Sequence, residues 1–210
     1  IVLPSGRHGL TPSLGLTYSS LNQSFTSPVG YGWSLPTNGI YRTSKTGVNT
    51  LYTSDEFTAD IFGNSVELIL INAATNTYAA KNEGAFTRFT FSGTSWTAVD
   101  RGGVKYTFGS GASTRQDDPD DSSRVYKWLL EKVEDQQGNA ILFAYTKADG
   151  AAYPEAIYYG GTSQADAVYA VHFTLTDRDT YTDYRTGFAV RHASIIDEIS
   201  VEWIPDGSEI

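Results

Sequence analysis

The residues of this chain with the most obvious chemical potential are four acidic positions around a proline, Asp117-Asp118-Pro119-Asp120-Asp121. A run of carboxylates in a flexible loop can surround Ca²⁺, which takes several oxygen ligands. The run lacks the Asp-x-Asp-x-Asp-Gly spacing and the distal bidentate Glu of a calcium loop, so a solvated acidic loop is expected. The histidines, His8, His172 and His192, have no partner at His-x-His or His-x-x-x-His spacing, which removes a sequence-local zinc site. No Gly-x-Ser-x-Gly elbow and no phosphate-binding glycine loop occurs. Gly102-Gly103 and Gly160-Gly161 read as hairpin turns. A glycosidase pair of carboxylates is recognised only in space, and nothing in the spacing of Asp and Glu favours one. No cofactor and no metal is expected.

The aromatic residues are the other candidates. Tyr31, Trp33, Trp96 and Trp128 could stack on sugar rings, but Tyr and Trp on strands more often pack between strands. Trp33 and Trp128 are therefore expected to be buried anchors. Trp33 lies in Val29-Gly-Tyr-Gly-Trp-Ser-Leu-Pro36, where Gly30 and Gly32 leave room for close backbone approach. Upstream, Leu14, Leu16 and Tyr18 alternate with Gly15, Thr17 and Ser19, the period-2 pattern of a half-buried strand. None of these groups does acid, base or nucleophilic chemistry, so the pattern points to architecture.

The elements that carry these residues are strands. Aromatics make up 13 % with 14 Tyr, and 20 Gly with 7 Pro supply the turns between strand formers. An all-β fold follows, an antiparallel meander of short strands and hairpins, with more than ~35 % strand against the usual quarter. A hairpin is expected over 38–53, turning at Lys45 to Gly47. Strands are expected at 65–71, 77–81, 85–92, 94–99 and 104–108, with a loop over 109–123. The segment 125–133 could pass for a helix by propensity. A strand is preferred, because it leads into the Asp135-Gln-Gln-Gly138-Asn139 turn and the strand from Ala140. Strands at 168–173, 184–190 and 195–203 complete the reading.

A net charge of −9 and a pI near 4.7 oppose binding to nucleic acid, which needs clustered Lys and Arg. No apolar run approaches the ~20 residues of a membrane helix. With no Cys, disulfides and thiolate metal sites are excluded. The chain begins Ile-Val-Leu-Pro and contains no Met, which suggests a processed protein or a piece of a longer polypeptide.

Two signatures occur in order along the chain. One is Leu10-Thr-Pro-Ser-Leu-Gly-Leu-Thr-Tyr18-Ser-Ser20, Gly30-Tyr-Gly32-Trp33-Ser-Leu35 and Ile40-Tyr-Arg42, with Gly47-Val48 and Asp55-Glu-Phe57 beyond. The other is Trp128-Leu-Leu-Glu-Lys-Val-Glu-Asp135, Gly138-Asn139, Tyr145 and Tyr153-Pro154 to Ile157-Tyr-Tyr, followed by Asp183-Tyr-Arg-Thr-Gly-Phe-Ala-Val190. Together they resemble the amino-terminal region of the SpvB family, shared by B subunits of insecticidal toxin complexes (TcdB-like) and related Rhs proteins. Asp135-x-x-Gly138-Asn139 with Tyr145 and then Asp149-Gly150 also resembles one copy of the YD repeat that builds Rhs shells.

The resemblance implies a single region over 1–210 within a larger secreted or extracellular toxin protein, forming part of the wall of a hollow β cocoon around a toxic cargo. Its partners would be the rest of the same polypeptide, the enclosed cargo and a toxin-complex delivery subunit. In that family SpvB carries a separate ADP-ribosyltransferase domain. The Glu-x-Glu element of that activity is missing here, since Asp197-Glu198-Ile-Ser-Val-Glu202 has a different spacing, so no enzymatic activity is expected of this chain. A bacterial surface module holding carbohydrate or protein on exposed Tyr and Trp is the rival, and a β-sheet hydrolase a third reading. Strands taken from a larger wall would leave a long apolar edge exposed.

Overall fold

Fifteen strands appear in the computed structural model of the chain, which describes residues 1–204. The expected boundary at 210 lies outside the described residues. β1 (Thr17–Tyr18) and β2 (Trp33–Ser34) form a ribbon of their own. The others share one antiparallel sheet: β3 (Gly39–Arg42), β4 (Phe57–Ile61), β5 (Asn64–Asn72), β6 (Thr77–Ala80), β7 (Arg88–Phe91), β8 (Trp96–Val99), β9 (Lys105–Phe108), β10 (Arg115–Asp118), β11 (Asp121–Glu134), β12 (Ala140–Ala148), β13 (Ala151–Gly161), β14 (Tyr169–Asp183) and β15 (Val190–Trp203). Strand accounts for 51 % of the chain and helix for 4 %, so the all-β antiparallel reading holds. The helical residues are 3-10 turns at Arg7–Gly9, Val48–Thr50 and Ala112–Thr114.

Strand β11 organises the whole. Residues Lys127–Leu129 pair with β3, and Leu130–Glu134 pair with β9. Because β3 to β9 follow one another as a meander, these two pairings close β3, β4, β5, β6, β7, β8, β9 and β11 into a barrel. In a barrel this small, directly opposed residues share a face and side chains fill the interior. The register shows it. Arg42, Phe57 and Leu68 stand opposite one another, as do Tyr78, Phe89, Ala98 and Tyr106. Trp96, Phe108 and Leu130 form a third row, and Trp128, Ile40 and Ala59 a fourth. Most of these residues are buried, and Trp96, Trp128, Phe57, Phe89 and Phe108 are the largest. Their rings meet edge to face: Phe57 to Trp96 at 4.9 Å and Phe91 to Trp128 at 5.4 Å. The Trp96 indole N–H has no acceptor in this aromatic core.

The last strands leave the barrel. β12 pairs with Lys132–Glu134 on the other edge of β11, and β13, β14 and β15 continue outward as an open sheet. β15 is the outermost strand.

Several expected elements take a different form. The first strand shrinks to Thr17–Tyr18. Leu14 is buried but Leu16 and Tyr18 are exposed, so no common buried face exists. The hairpin over 38–53 is absent. β3 pairs with β4, and residues 43–56 form a connection whose 3-10 turn is braced by Thr50, which donates to Gly47 O at 3.0 Å. Phe86, expected in a strand, has φ 55 and lies exposed before β7. The loop over 109–123 contains β10 and the start of β11. The strand expected at 184–190 is the β14–β15 turn, where Gly187 has φ 80 and its N–H donates to Tyr184 O. Gly160 and Gly161 close β13 rather than turn a hairpin, Gly161 pairing with Ala140 at a register shift. A Cβ on Gly161 would meet Asp166 O at 2.3 Å, so the close approach explains the glycine.

Candidate functional site

The residues singled out in the sequence fall at three places. Tyr18, Gly30, Gly32 and Trp33 build the β1–β2 ribbon. Tyr18 and Trp33 face one another with ring centroids 5.3 Å apart, and the Tyr18 ring lies over Gly32, where a Cβ would sit 2.7 Å from its Cε2. Gly30 and Gly32 both have positive φ, 96° and 80°. Trp33 is not a buried anchor: it is 42 % exposed and Tyr18 59 %. The two glycines preceding Trp33 serve the turn and the Tyr18 ring, and no strand among the described residues covers the indole. Its carbonyl is held from outside by Ser27 Oγ at 2.7 Å and Asn22 Nδ2 at 3.2 Å.

Trp128 lies in the barrel core at 1 % exposure, as expected, and its Nε1–H donates to Thr94 O at 2.9 Å. The third place is the β11–β12 turn. Asp135 accepts from the Gln137 and Asn139 N–H groups, both at 2.9 Å, and from Asn139 Nδ2 at 2.7 Å, while Gly138 takes φ 84. The bond from the Asn139 side chain is the main reason that the Asp135 carboxyl sits below its ordinary range. From the returning strand, the buried Tyr145 hydroxyl donates to Leu130 O at 2.9 Å, tying β12 to the barrel strand, and burial holds this phenol far above its usual range.

The acidic run is solvated only in part: Asp120 and Asp121 are exposed, as expected of a solvated loop. Asp117 and Asp118 are buried on β10. Asp117 pairs with Lys147, and Asp118 with Arg124 Nη1 at 2.6 Å. Pairing compensates the burial of each carboxylate. Among the described residues, no group of three or more His, Asp or Glu is placed to hold a metal ion. His172 meets Glu202 at 3.0 Å on the outer sheet, which uses the one glutamate of the Asp197–Glu202 stretch that pairs with a base. His8 lies in the first 3-10 turn.

The sequence reading missed Lys127. It lines a polar cleft of about 480 Å³ between the barrel wall and the β14–β15 turn, together with Tyr41, Asp60, Tyr126, Arg185 and His192. Its ammonium donates to Thr37 O and Oγ1 at 3.2 and 3.1 Å, and burial pushes it down to about 8. A depressed lysine destabilises the folded chain while it is charged there. Between about pH 8 and the ordinary value of 10.5 the unfolded chain holds the proton more tightly, so raising the pH relieves the penalty by up to ~1.4 kcal/mol per unit. Lys127→Met is therefore expected to be more stable than the wild type near pH 7, with the gap narrowing toward pH 10. Urea midpoints across that range check it, and a gap independent of pH would show that the ammonium titrates normally. Among the described residues, the hydrogen-bond partner of the Lys127 ammonium is Thr37, through its carbonyl and its hydroxyl.

The outermost strand is a third surface. The Arg191 N–H donates to Asp149 O and the Ile196 N–H to Pro28 O, which covers the first half of the β15 edge. Beyond Ile196 no strand among the described residues lies beside the edge, and Trp203 is 65 % exposed. A long apolar edge was expected; this one is long but mixed, with Asp197, Glu198 and Glu202 among its residues.

Comparison with known proteins agrees with this architecture. The family described as Salmonella virulence plasmid 65kDa B protein, SpvB, matches residues 1–176. The mono(ADP-ribosyl)transferases SpvB of Salmonella typhimurium and Salmonella enteritidis are each 28 % identical over 178 residues, covering 71 % of this chain. The chain spans only 30 % of the length of these relatives. Among solved structures, the N-terminal domain of the effector SpvB from Salmonella typhimurium strain LT2 superposes with a TM-score of 0.78 at 20 % identity, over 94 % of this chain and 84 % of that one. TcdB2-TccC3 gives 0.79 at 20 % identity, over 95 % of this chain and 13 % of that one. The Photorhabdus luminescens Tc holotoxin pore gives 0.72 at 19 % identity, over 93 % of this chain and 12 % of that one. With a family match over most of its length and the same barrel-and-sheet fold, the chain belongs to the SpvB family, in the part that corresponds to the SpvB N-terminal domain.

Proposed function

We propose that residues 1–210 act as one non-catalytic wall segment of a secreted toxin protein of the SpvB and toxin-complex type, helping to enclose a toxic cargo. The observation that carries this reading is the asymmetry of the sheet. The barrel closes on itself, whereas β12 to β15 run outward to an edge that is half uncovered. A strand edge left open in this way is a template for further strands, and soluble proteins normally blunt it. The likeness to TcdB2-TccC3, of which this fold makes up a small part, supports a segment built into a larger wall. Trp128, Asp135, Gly138, Asn139 and Tyr145 would then be the residues that join barrel to open sheet. The partners are the remaining polypeptide, its cargo and a delivery subunit, with no nucleic acid and no membrane insertion by this segment. The ADP-ribosyl transfer named for the SpvB relatives would reside in the part of those proteins that this chain does not span.

Amide exchange tests the reading. In a longer polypeptide the amides of Asp197–Trp203 are expected to exchange more than tenfold more slowly than in the isolated 1–210 chain. Equal exchange would make β15 a solvent-facing edge and remove the support for a wall.

The exposed Tyr18, Tyr31 and Trp33 favour a second reading, a surface module that binds glycan or protein. Against a sugar platform, the Tyr18 and Trp33 planes are inclined by 59° and present no flat surface. Retention on immobilised glycans that is lost in Trp33→Ala would revive it.

A further inference from the structure

The ribbon has an open slot that the fold leaves unfilled. Thr17 pairs with Ser34, Tyr18 faces Trp33, and the Ser19 N–H donates to Gly32 O. In this antiparallel register Tyr18 and Trp33 form the non-hydrogen-bonded pair, so the main-chain groups of both point away from the ribbon. On the β2 side they are satisfied: the Trp33 N–H reaches Gly30 O at 3.2 Å, and Ser27 and Asn22 cap its carbonyl. On the β1 side the Tyr18 N–H and C=O have no partner among the described residues. One edge is closed by side chains and the other is open.

The surroundings of the open edge are those of an interface core. From Gly9 to Tyr41 the chain carries no Asp, Glu, Lys or Arg, in a protein of which 19 % is charged. Within this stretch Leu16, Tyr18, Leu21, Phe25, Tyr31 and Trp33 are exposed, Leu21 by 88 %. Depletion of charge with aromatic enrichment marks the centre of protein interfaces. A two-stranded ribbon with so short a ladder is also marginal alone and is stabilised by a third strand.

We infer that the β1 edge at Tyr18 receives an extended, uncharged apolar segment from the remainder of the same polypeptide, which adds to the ribbon as a third strand. The inference rests on the wall-segment reading above. Three considerations select this occupant. The curated relatives extend well beyond the matched region, so in them such a fold is joined to more chain. Covalent linkage supplies a high effective concentration, which lets a short ribbon edge hold a strand that would bind weakly from solution. A second copy would bring another net charge of −9 toward a molecule that already carries it, and an anionic membrane is disfavoured for the same reason.

The test places p-azidophenylalanine at Tyr18 in the full-length polypeptide, and separately at Val201 on β15. The photoadduct from position 18 is expected within the same molecule, at an apolar segment outside residues 1–210. An adduct to a second copy, one confined to residues 1–210, or none, overturns the inference. The Val201 probe separates this from the wall reading. Adducts from 201 to the remaining chain with none from 18 would leave the wall standing and sink the ribbon slot; silence at both positions would remove both.

Discussion

Trp128→Ala is expected to lower the unfolding free energy by about 3–5 kcal/mol, the range for truncating a large buried aromatic. Trp33→Ala should change it by less than ~1 kcal/mol, as a partly exposed side chain off the core does. The contrast follows from position. Trp128 is the point where β11 meets the meander, opposite Ile40 of β3 and in ring contact with Phe57, Phe91 and Trp96. Its removal leaves the Thr94 carbonyl without its indole donor and opens a cavity that rigid barrel strands cannot collapse. Gly109 reports on the same packing. It has φ 65, which strains any L side chain, and a Cβ there would also stand 2.3 Å from Trp128 Cδ1, so the indole adds to the cost of Gly109→Ala. Denaturant unfolding followed by circular dichroism gives all three values. In a double-mutant cycle, Gly109→Ala should cost clearly less in the Trp128→Ala background than alone. Equal losses in both backgrounds would show that the strained dihedral, and not the indole, sets the cost.

Local pattern made parts of this fold legible and nonlocal pairing hid the rest. The Asp135 to Asn139 turn could be read because its residues make their own bonds within five positions, and β11 and β12 follow from it. Strands β5, β6, β8 and β9 lay where alternation and glycine turns placed them. Barrel closure was not legible, since it depends on β9 finding β11 across the intervening β10, and no local pattern encodes that choice. The acidic strand β10 was misread for a related reason. Four aspartates read as a solvated run; Asp120 and Asp121 are exposed, but Asp117 and Asp118 are buried where Lys147 and Arg124, one of them 30 residues from its partner, supply the countercharges. The strand Phe57–Ile61 does carry its inward alternation of Phe, Ala and Ile, and the pattern was visible without being used. For the ribbon, composition identified the residues but not their exposure. An aromatic such as Trp33, just after two spaced glycines, looks the same in sequence whether its ring meets a core or lies exposed.

The second large effect is expected at Arg42, an inward-facing cation on β3. Its Nε–H donates to Val125 O at 3.1 Å, and Nη1 to Ser54 O and Leu51 O at 3.2 and 3.4 Å. The guanidinium lies 5.1 Å from the Phe57 ring centroid, 5.5 Å from that of Trp128 and 5.7 Å from that of Tyr52. One side chain thus fastens the 43–56 connection to β11, the strand shared by barrel and open sheet. Burial pulls its pKa below the ordinary value, yet a guanidinium stays charged across the working range. Arg42→Met keeps much of the volume but strips three carbonyls of their donor, and a loss of about 2–4 kcal/mol is expected from unsatisfied acceptors and lost charged hydrogen bonds. Arg42→Lys should recover less than half of that loss, because a single ammonium cannot span acceptors on two elements and lie flat against the rings. Limited proteolysis adds a local readout: cleavage within 43–56 should rise in both variants before global unfolding does. If Lys restored full stability and protease resistance, charge alone would hold the connection, and the planar fork would have no part in joining the 43–56 segment to the strand from which the open sheet departs.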